Sequence, residues 1–174
     1  MVINIKDLEK LREEYSNKKI VATIGSFDLF HYEHLRYLKD AKALGDVLVV
    51  ILKDDFIVGL KDKNRPIICQ EQRVSIVDAL KFVDFVVLAT KKEYQKTQKI
   101  LNLDCEEKCK QWLYSFYTIF EKLKPDILYH EDTKDLNFAR KYVAKEFGTK
   151  LIERKRTAMI TTTKIIEKIK KIGE

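Results

Sequence analysis

Lys18-Lys19-Ile20-Val21-Ala22-Thr23-Ile24-Gly25-Ser26-Phe27-Asp28-Leu29-Phe30-His31-Tyr32-Glu33-His34-Leu35-Arg36-Tyr37-Leu38-Lys39-Asp40-Ala41-Lys42-Ala43-Leu44-Gly45 is the stretch that decides the fold. Residues 19–24 are an apolar run of β type, and from Leu35 the apolar positions take a helical period that stops at Gly45. The stretch therefore reads as strand, tight glycine turn, helix. Such a turn aims backbone N–H groups and the positive end of a helix at one point, which makes an anion site. His31 and His34 lie three residues apart on one face of the first helical turn. Two imidazoles beside a phosphate cradle can donate hydrogen bonds to phosphate oxygens.

Downstream, Asp46 to Leu52 is apolar on both faces, as a central parallel strand should be. With the first strand and helix it forms a right-handed βαβ unit. Lys53-Asp54-Asp55 follows at the carboxyl end, the edge where open α/β sheets bind ligands. Leu60 to Ile67 is a polar loop in which Lys61, Lys63 and Arg65 supply three cations within five residues. A helix then opens at Glu71-Gln72-Arg73, and Phe82 to Leu88 is a third strand. An ion pair between Arg73 and Asp84 is one reading of those two residues.

Upstream, Ile5, Leu8, Leu11 and Tyr15 predict an amphipathic helix over residues 4–16. Between residues 91 and 123, Cys109, Trp112, Leu113, Phe116, Tyr117, Phe120 and Leu123 form an aromatic helical stripe. Core packing is the favoured reading, with a dimer face or a wall of an acceptor pocket as the others. Asp126 to His130 reads as a fourth strand, a helix follows over residues 136–147, and Lys150 to Glu153 is a fifth strand. His130 and Asp132 stand at the fourth strand's end. Arg156 to Ile166 places hydroxyls of Thr157, Thr161, Thr162 and Thr163 before a final helix, a second candidate anion site.

The chain has 174 residues, a net charge of +7, 45% hydrophobic and 35% charged residues. That composition suits one domain over residues 1–174 with anionic ligands. The lysines are dispersed without an aromatic-basic motif, so nucleic acid is not expected as a partner. No apolar run is long enough to span a membrane. Three cysteines without a targeting pattern suggest free thiols in the cytoplasm.

Gly25 to His34 resembles the first loop of the H-x-G-H nucleotidyltransferases, the superfamily of glycerol-3-phosphate cytidylyltransferases and heptose-1-phosphate adenylyltransferases. That loop reads G-[ST]-F-D-x-x-H-x-G-H, and only Glu33 departs from it, standing in place of glycine. The Leu60–Pro66 loop, Glu71-Gln72-Arg73 and Val83-Asp84 also resemble the family, as does Arg156 to Ile166, which is similar to its R-T-x-x-I-S-T-T-x-I-I motif. The resemblance implies a doubly wound, Rossmann-like α/β fold. It would have a five-stranded parallel sheet, strand order 3-2-1-4-5, and helices on both faces.

By the same resemblance, His31, His34, Lys61 and Arg156 are catalytic. Gly25, Ser26, Phe27, Asp28, Lys63, Arg73, Asp132, Thr157, Thr161 and Thr162 bind nucleotide, and Asp28 is a ligand of a Mg²⁺ cofactor. The implied reaction transfers a nucleotidyl group to a phosphorylated small alcohol or sugar phosphate and releases pyrophosphate. CTP is favoured over ATP by Arg156-Thr157, while the leading helix and the Leu60–Pro66 loop lean toward the ATP-using heptose type. A nucleotide-binding relative without turnover is the other alternative that Glu33 raises. It stands unless the carboxylate turns away, pairs with a cation, or touches Mg²⁺ or an acceptor hydroxyl.

Overall fold

The computed structural model describes residues 1–60, 62–132, 137–155 and 160–172. The strands form one parallel sheet, β1 (Val2–Ile3), β2 (Ile20–Gly25), β3 (Val47–Lys53), β4 (Phe85–Ala89), β5 (Ile127–Glu131) and β6 (Lys150–Arg154), in the order β1-β4-β3-β2-β5-β6. The five strands expected from the sequence appear in the expected order. A sixth joins them at the edge, where Val2 and Ile3 pair with Val86 and Val87. The β-branched pair extends before the chain turns, so the leading helix is shorter than predicted: a single 3₁₀ turn over Ile5–Asp7, then α1 (Leu8–Glu14).

Helices cover both faces because the central strands are apolar on both sides. β3 is buried from Val47 to Leu52. On one face lie α1, α6 (Glu107–Leu123) and α7 (Asn137–Phe147), contributing Leu8, Leu113, Phe116, Phe120, Ala139 and Val143 to a single core. On the other lie α2 (Tyr32–Lys42) and α4 (Gln70–Asp78), which contribute Leu38, Ala41 and Val77. A short α3 (Asp55–Gly59) follows β3, and α5 (Lys91–Ile100) lies against α6.

The aromatic stripe of residues 91–123 is core, as favoured. Ten residues of α6 are buried within the chain, so that stripe is not available as a dimer face. Its helix runs back from the ligand edge, which places Trp112 near the mouth of a cleft. The Arg73–Asp84 pair does not form. Asp84 instead accepts from the Leu48 N–H at 2.7 Å and from Lys42 at 2.6 Å. The direction in which successive strands are added reverses between β2 and β5, and that switch point opens the cleft at the carboxyl ends of the strands.

Candidate active site

The glycine turn between β2 and α2 is built tightly. A Cβ on Gly25 would sit 2.6 Å from the Phe27 ring, so glycine is what lets that ring fold back over the strand end. Phe27 and Leu29 take left-handed backbone angles, φ of 50° and 47°, a conformation that ordinary side chains resist. Asp28 offsets that strain. Buried between the segments, it accepts from Arg65 Nε at 2.7 Å and from the N–H groups of Ile67 and Ile68 at 3.0 Å. Burial would raise its carboxyl, but the two N–H groups and Arg65 together hold it below the usual value.

Asp28 is therefore a bracket between two loops. Both its oxygens are spent on them, which does not fit the metal-ligand role expected of it. Among the described residues no group of three or more His, Cys, Asp or Glu is placed to hold a metal. The donor set does not fit a resident Mg²⁺.

Arg73 lies behind this turn, not in the cleft. It is fully buried and donates to the carbonyls of Ile68, Ser26 and Lys53 and to Asp55. Its guanidinium fork ties the ends of β2 and β3 to the following loop, so its expected contact with nucleotide is replaced by a structural clamp. The same geometry explains why it cannot reach Asp84.

His31 caps α2, and its Nδ1 accepts the Glu33 N–H at 3.3 Å. An accepting Nδ1 leaves the proton of the neutral ring on Nε2. His34 stacks on it with ring centroids 3.9 Å apart, flanked by Phe27 and Phe30. Burial, and then the neighbouring His31, lower His34 to about 3, while Asp28 opposes them. Burial lowers His31 as well, against the pull of Glu33 and Glu131. His34 is therefore neutral at pH 7, and its buried Nδ1 has no partner.

The last helix, α8 (Thr162–Ile172), points its N-terminus at the same place. Thr161 caps it by accepting the Lys164 N–H at 3.2 Å, and Thr162 Oγ1 donates to the Asp28 carbonyl at 3.1 Å. Two helix N-termini thus face a cleft of about 440 Å³. Gly25, Ser26, Phe27, His31, His34, Thr161 and Thr162 line it as the sequence predicts. Lys63 and Asp132 are exposed and do not line it; Asp132 lies past the end of β5, and His130 and Glu131 reach the cleft instead. Lys61, Arg156 and Thr157 lie outside the described residues.

The cleft also holds residues that the sequence reading did not assign: Lys53, Asp62, Arg65, Trp112, Glu131 and Arg140. Lys53, Arg65 and Glu131 stand at strand ends or in the cationic loop, where the signal was legible. Arg140 sits inside an amphipathic helix and gave none.

Glu33 lies at the wall of this cleft yet is only 6% exposed. Arg36 reaches one carboxylate oxygen at 3.4 Å and Arg154 of β6 reaches the other at 3.4 Å. The residue that departs from the glycine of the motif is thus paired with two cations, the arrangement that removes its conflict with a bound phosphate.

Residues 22–169 match the cytidylyltransferase-like family. The chain belongs to that family. The bifunctional protein HldE of Helicobacter pylori strain P12 is 34% identical over 169 residues, covering 96% of this chain and 31% of that protein. HldE of Campylobacter jejuni strain RM1221 is 38% identical over 173 residues, covering 95% and 31%. The chain thus spans about a third of the length of these relatives.

Two solved structures share the fold seen here. Pantoate-beta-alanine ligase from Francisella tularensis aligns with a TM-score of 0.71 at 18% identity, over 98% of this chain and 77% of that one. The lipopolysaccharide core biosynthesis protein of Thermoplasma volcanium GSS1 aligns at 0.56 and 23% identity, over 82% and 99%. Membership of the cytidylyltransferase-like family bears out the nucleotidyltransferase class expected from the Gly25–His34 block. No helix among the described residues is long and apolar enough to cross a membrane.

Proposed function

We propose that the chain is an adenylyltransferase that moves AMP from ATP onto the phosphate of a sugar 1-phosphate of the heptose type, releasing pyrophosphate. The observation that carries the reading is the convergence of two helix N-termini and the stacked His31–His34 pair on one cleft at the switch point of the sheet. The choice of ATP over CTP follows the HldE relatives, which support the adenylyl alternative over the cytidylyl reading favoured by Arg156-Thr157.

In this reading an oxygen of the acceptor phosphate attacks the α-phosphorus and the α–β bridging oxygen leaves with pyrophosphate. The attacking oxygen is already ionised, so the work is in-line positioning and stabilisation of charge at phosphorus. His31 donates from Nε2 to a phosphate oxygen, because its Nδ1 is occupied by the Glu33 N–H. The α8 N–H groups and Arg65 take the leaving pyrophosphate, with Lys61 and Arg156 as further cations. Mg²⁺ enters as part of the triphosphate substrate, as no carboxylates among the described residues cluster to cage it. The pairing of Glu33 with Arg36 and Arg154 supports turnover over a binding-only role.

The test is pyrophosphate release with Mg²⁺, supplying ATP and CTP separately against sugar 1-phosphates, glycerol 3-phosphate, phosphocholine and phosphoethanolamine. Release with ATP and a sugar 1-phosphate, cut about 10²- to 10³-fold in His31→Ala, is the expected result. Release with CTP alone would reverse the choice of base, and silence across the panel with ATP still bound would favour a binding-only relative.

A further inference from the structure

We propose that Glu33 selects ribonucleotides, its carboxylate accepting hydrogen bonds from the vicinal hydroxyls of the bound triphosphate's ribose. The proposal rests on the reading of the cleft as a nucleotide site and adds to it the residue that recognises the sugar.

Three observations carry it. First, Glu33 lines the cleft while nearly all of the residue is buried. A buried carboxylate beside a phosphate site is costly unless it is paired, and this one is paired, by arginines from two different elements. Second, those pairings leave capacity. An ionised carboxylate offers about four lone-pair sites, and the two arginine contacts, each 3.4 Å long, take only part of them. Arg154 is itself nine-tenths buried, has Asp40 at 3.6 Å, and keeps Nη1 without a partner. The cluster thus retains hydrogen-bonding capacity at the cleft wall. Two arginines and two carboxylates balance in charge, so Glu33 can accept from hydroxyls without opposing the phosphates nearby.

Third, charge divides the cleft. Lys53 at the end of β3 and Arg65 of the loop after it stand on one side of β2, while Glu131 ends β5 on its other side and Glu33 contacts Arg154 of β6. Arg140, also on that other side, faces Glu153 and Asp132. The phosphates bring charge and belong with the cations, the pyrophosphate with Arg65 and the acceptor's phosphate with Lys53. The nucleoside brings hydroxyls and no charge and belongs with the carboxylates. The ribose hangs from the α-phosphate by one methylene, and Glu33 is two residues from His31, so the diol and the carboxylate share a short reach. A carboxylate at the carboxyl edge of an α/β sheet is a suitable acceptor for ribose hydroxyls. Glycine at this position would offer only backbone.

The experiment is calorimetric binding of ATP, 2′-deoxy-ATP and 3′-deoxy-ATP, with Mg²⁺, to the full chain and to Glu33→Gln and Glu33→Gly. Because no turnover is read, a chain that binds ATP without releasing pyrophosphate overturns the proposed reaction and not this inference. If the chain binds CTP instead, the matched cytidine series is used. The full chain is expected to bind at least one deoxy analogue about 10- to 100-fold more weakly than ATP. Glu33→Gly should bind all three within about twofold of one another. Glu33→Gln, of the same size, should fall between them, and it keeps the test open if the glycine variant does not fold.

Equal binding of all three nucleotides by the full chain overturns the proposal, and so does undiminished discrimination in both variants. It is overturned as well if nucleotides are not discriminated but turnover falls with a 2-deoxy sugar 1-phosphate, which would give the carboxylate to the acceptor. Absence of binding by any triphosphate removes both readings together.

Discussion

His34 shows how one buried residue couples the site to pH. Its native form stays neutral down to about pH 3, whereas an unfolded chain protonates the same ring near 6.5. Across that window the unfolded state binds more protons, so stability is complete above about pH 6.5 and is lost as the pH falls toward 3. The slope from this residue is at most about 1.4 kcal/mol per pH unit. Urea unfolding at pH 7, 6, 5 and 4 should show a shallower acid loss in His34→Gln than in the natural chain; equal slopes would remove His34 as the cause. His31 acts on rate instead. Its replacement by alanine should cost about 10² to 10³ in kcat, read by pyrophosphate release, because one charge-stabilising donor is lost. Asp28 sits between these cases. Asp28→Asn keeps the shape but loses the charge that Arg65 and two N–H groups are arranged around. Weaker triphosphate binding by calorimetry is expected, together with a loss of about 1–3 kcal/mol in stability by urea unfolding.

At the scale of elements, the strand–turn–helix unit was the most legible, because Gly25, the histidine spacing and the halt at Gly45 all pointed to the same geometry. β1 was missed: two β-branched residues ahead of a helical period are too few to register as a strand, and only their pairing with β4 makes them one. Arg73 was misassigned for a related reason. A cation opening a helix beside a ligand edge looks like a ligand contact, and only three-dimensional proximity shows it holding the carbonyls of Ser26 and Lys53. Arg73→Leu should therefore lower stability by about 2–4 kcal/mol in urea unfolding, by leaving those carbonyls and Asp55 without their donor. A role in direct nucleotide contact would instead raise KM with little change in unfolding. α6 was legible as an element, and as a wall of the site only as an alternative to core packing; it is both. Its stripe told which face is buried, while Trp112's place at the cleft depends on where the helix starts relative to the strand ends.

Over the whole molecule, the site draws on residues from Gly25 to Thr163 that meet at one sheet edge. Sequence showed which blocks carried the chemistry; their assembly through Asp28, which touches both the Arg65–Ile68 loop and Thr162, required the fold. A ligand that spans these blocks binds only the assembled protein. Saturating ATP at 100 times its Kd should add about 2.7 kcal/mol to stability, visible as a rise in Tm, and the rise should vanish in a variant that cannot bind. α8 stands apart from this cooperative whole. It has no fully buried residue, and its first turn is tied to the rest by the Thr162 hydroxyl on the Asp28 carbonyl. Opening it exposes little apolar surface beyond the half-buried Ile165 and Ile166, so its local equilibrium depends only weakly on denaturant and on the stability of the sheet. Amide hydrogens of α8 should exchange by this local route, long before those of β2 and β3. The share of molecules competent for pyrophosphate binding is then set by a small opening constant at the end of the chain, which the global unfolding free energy does not report.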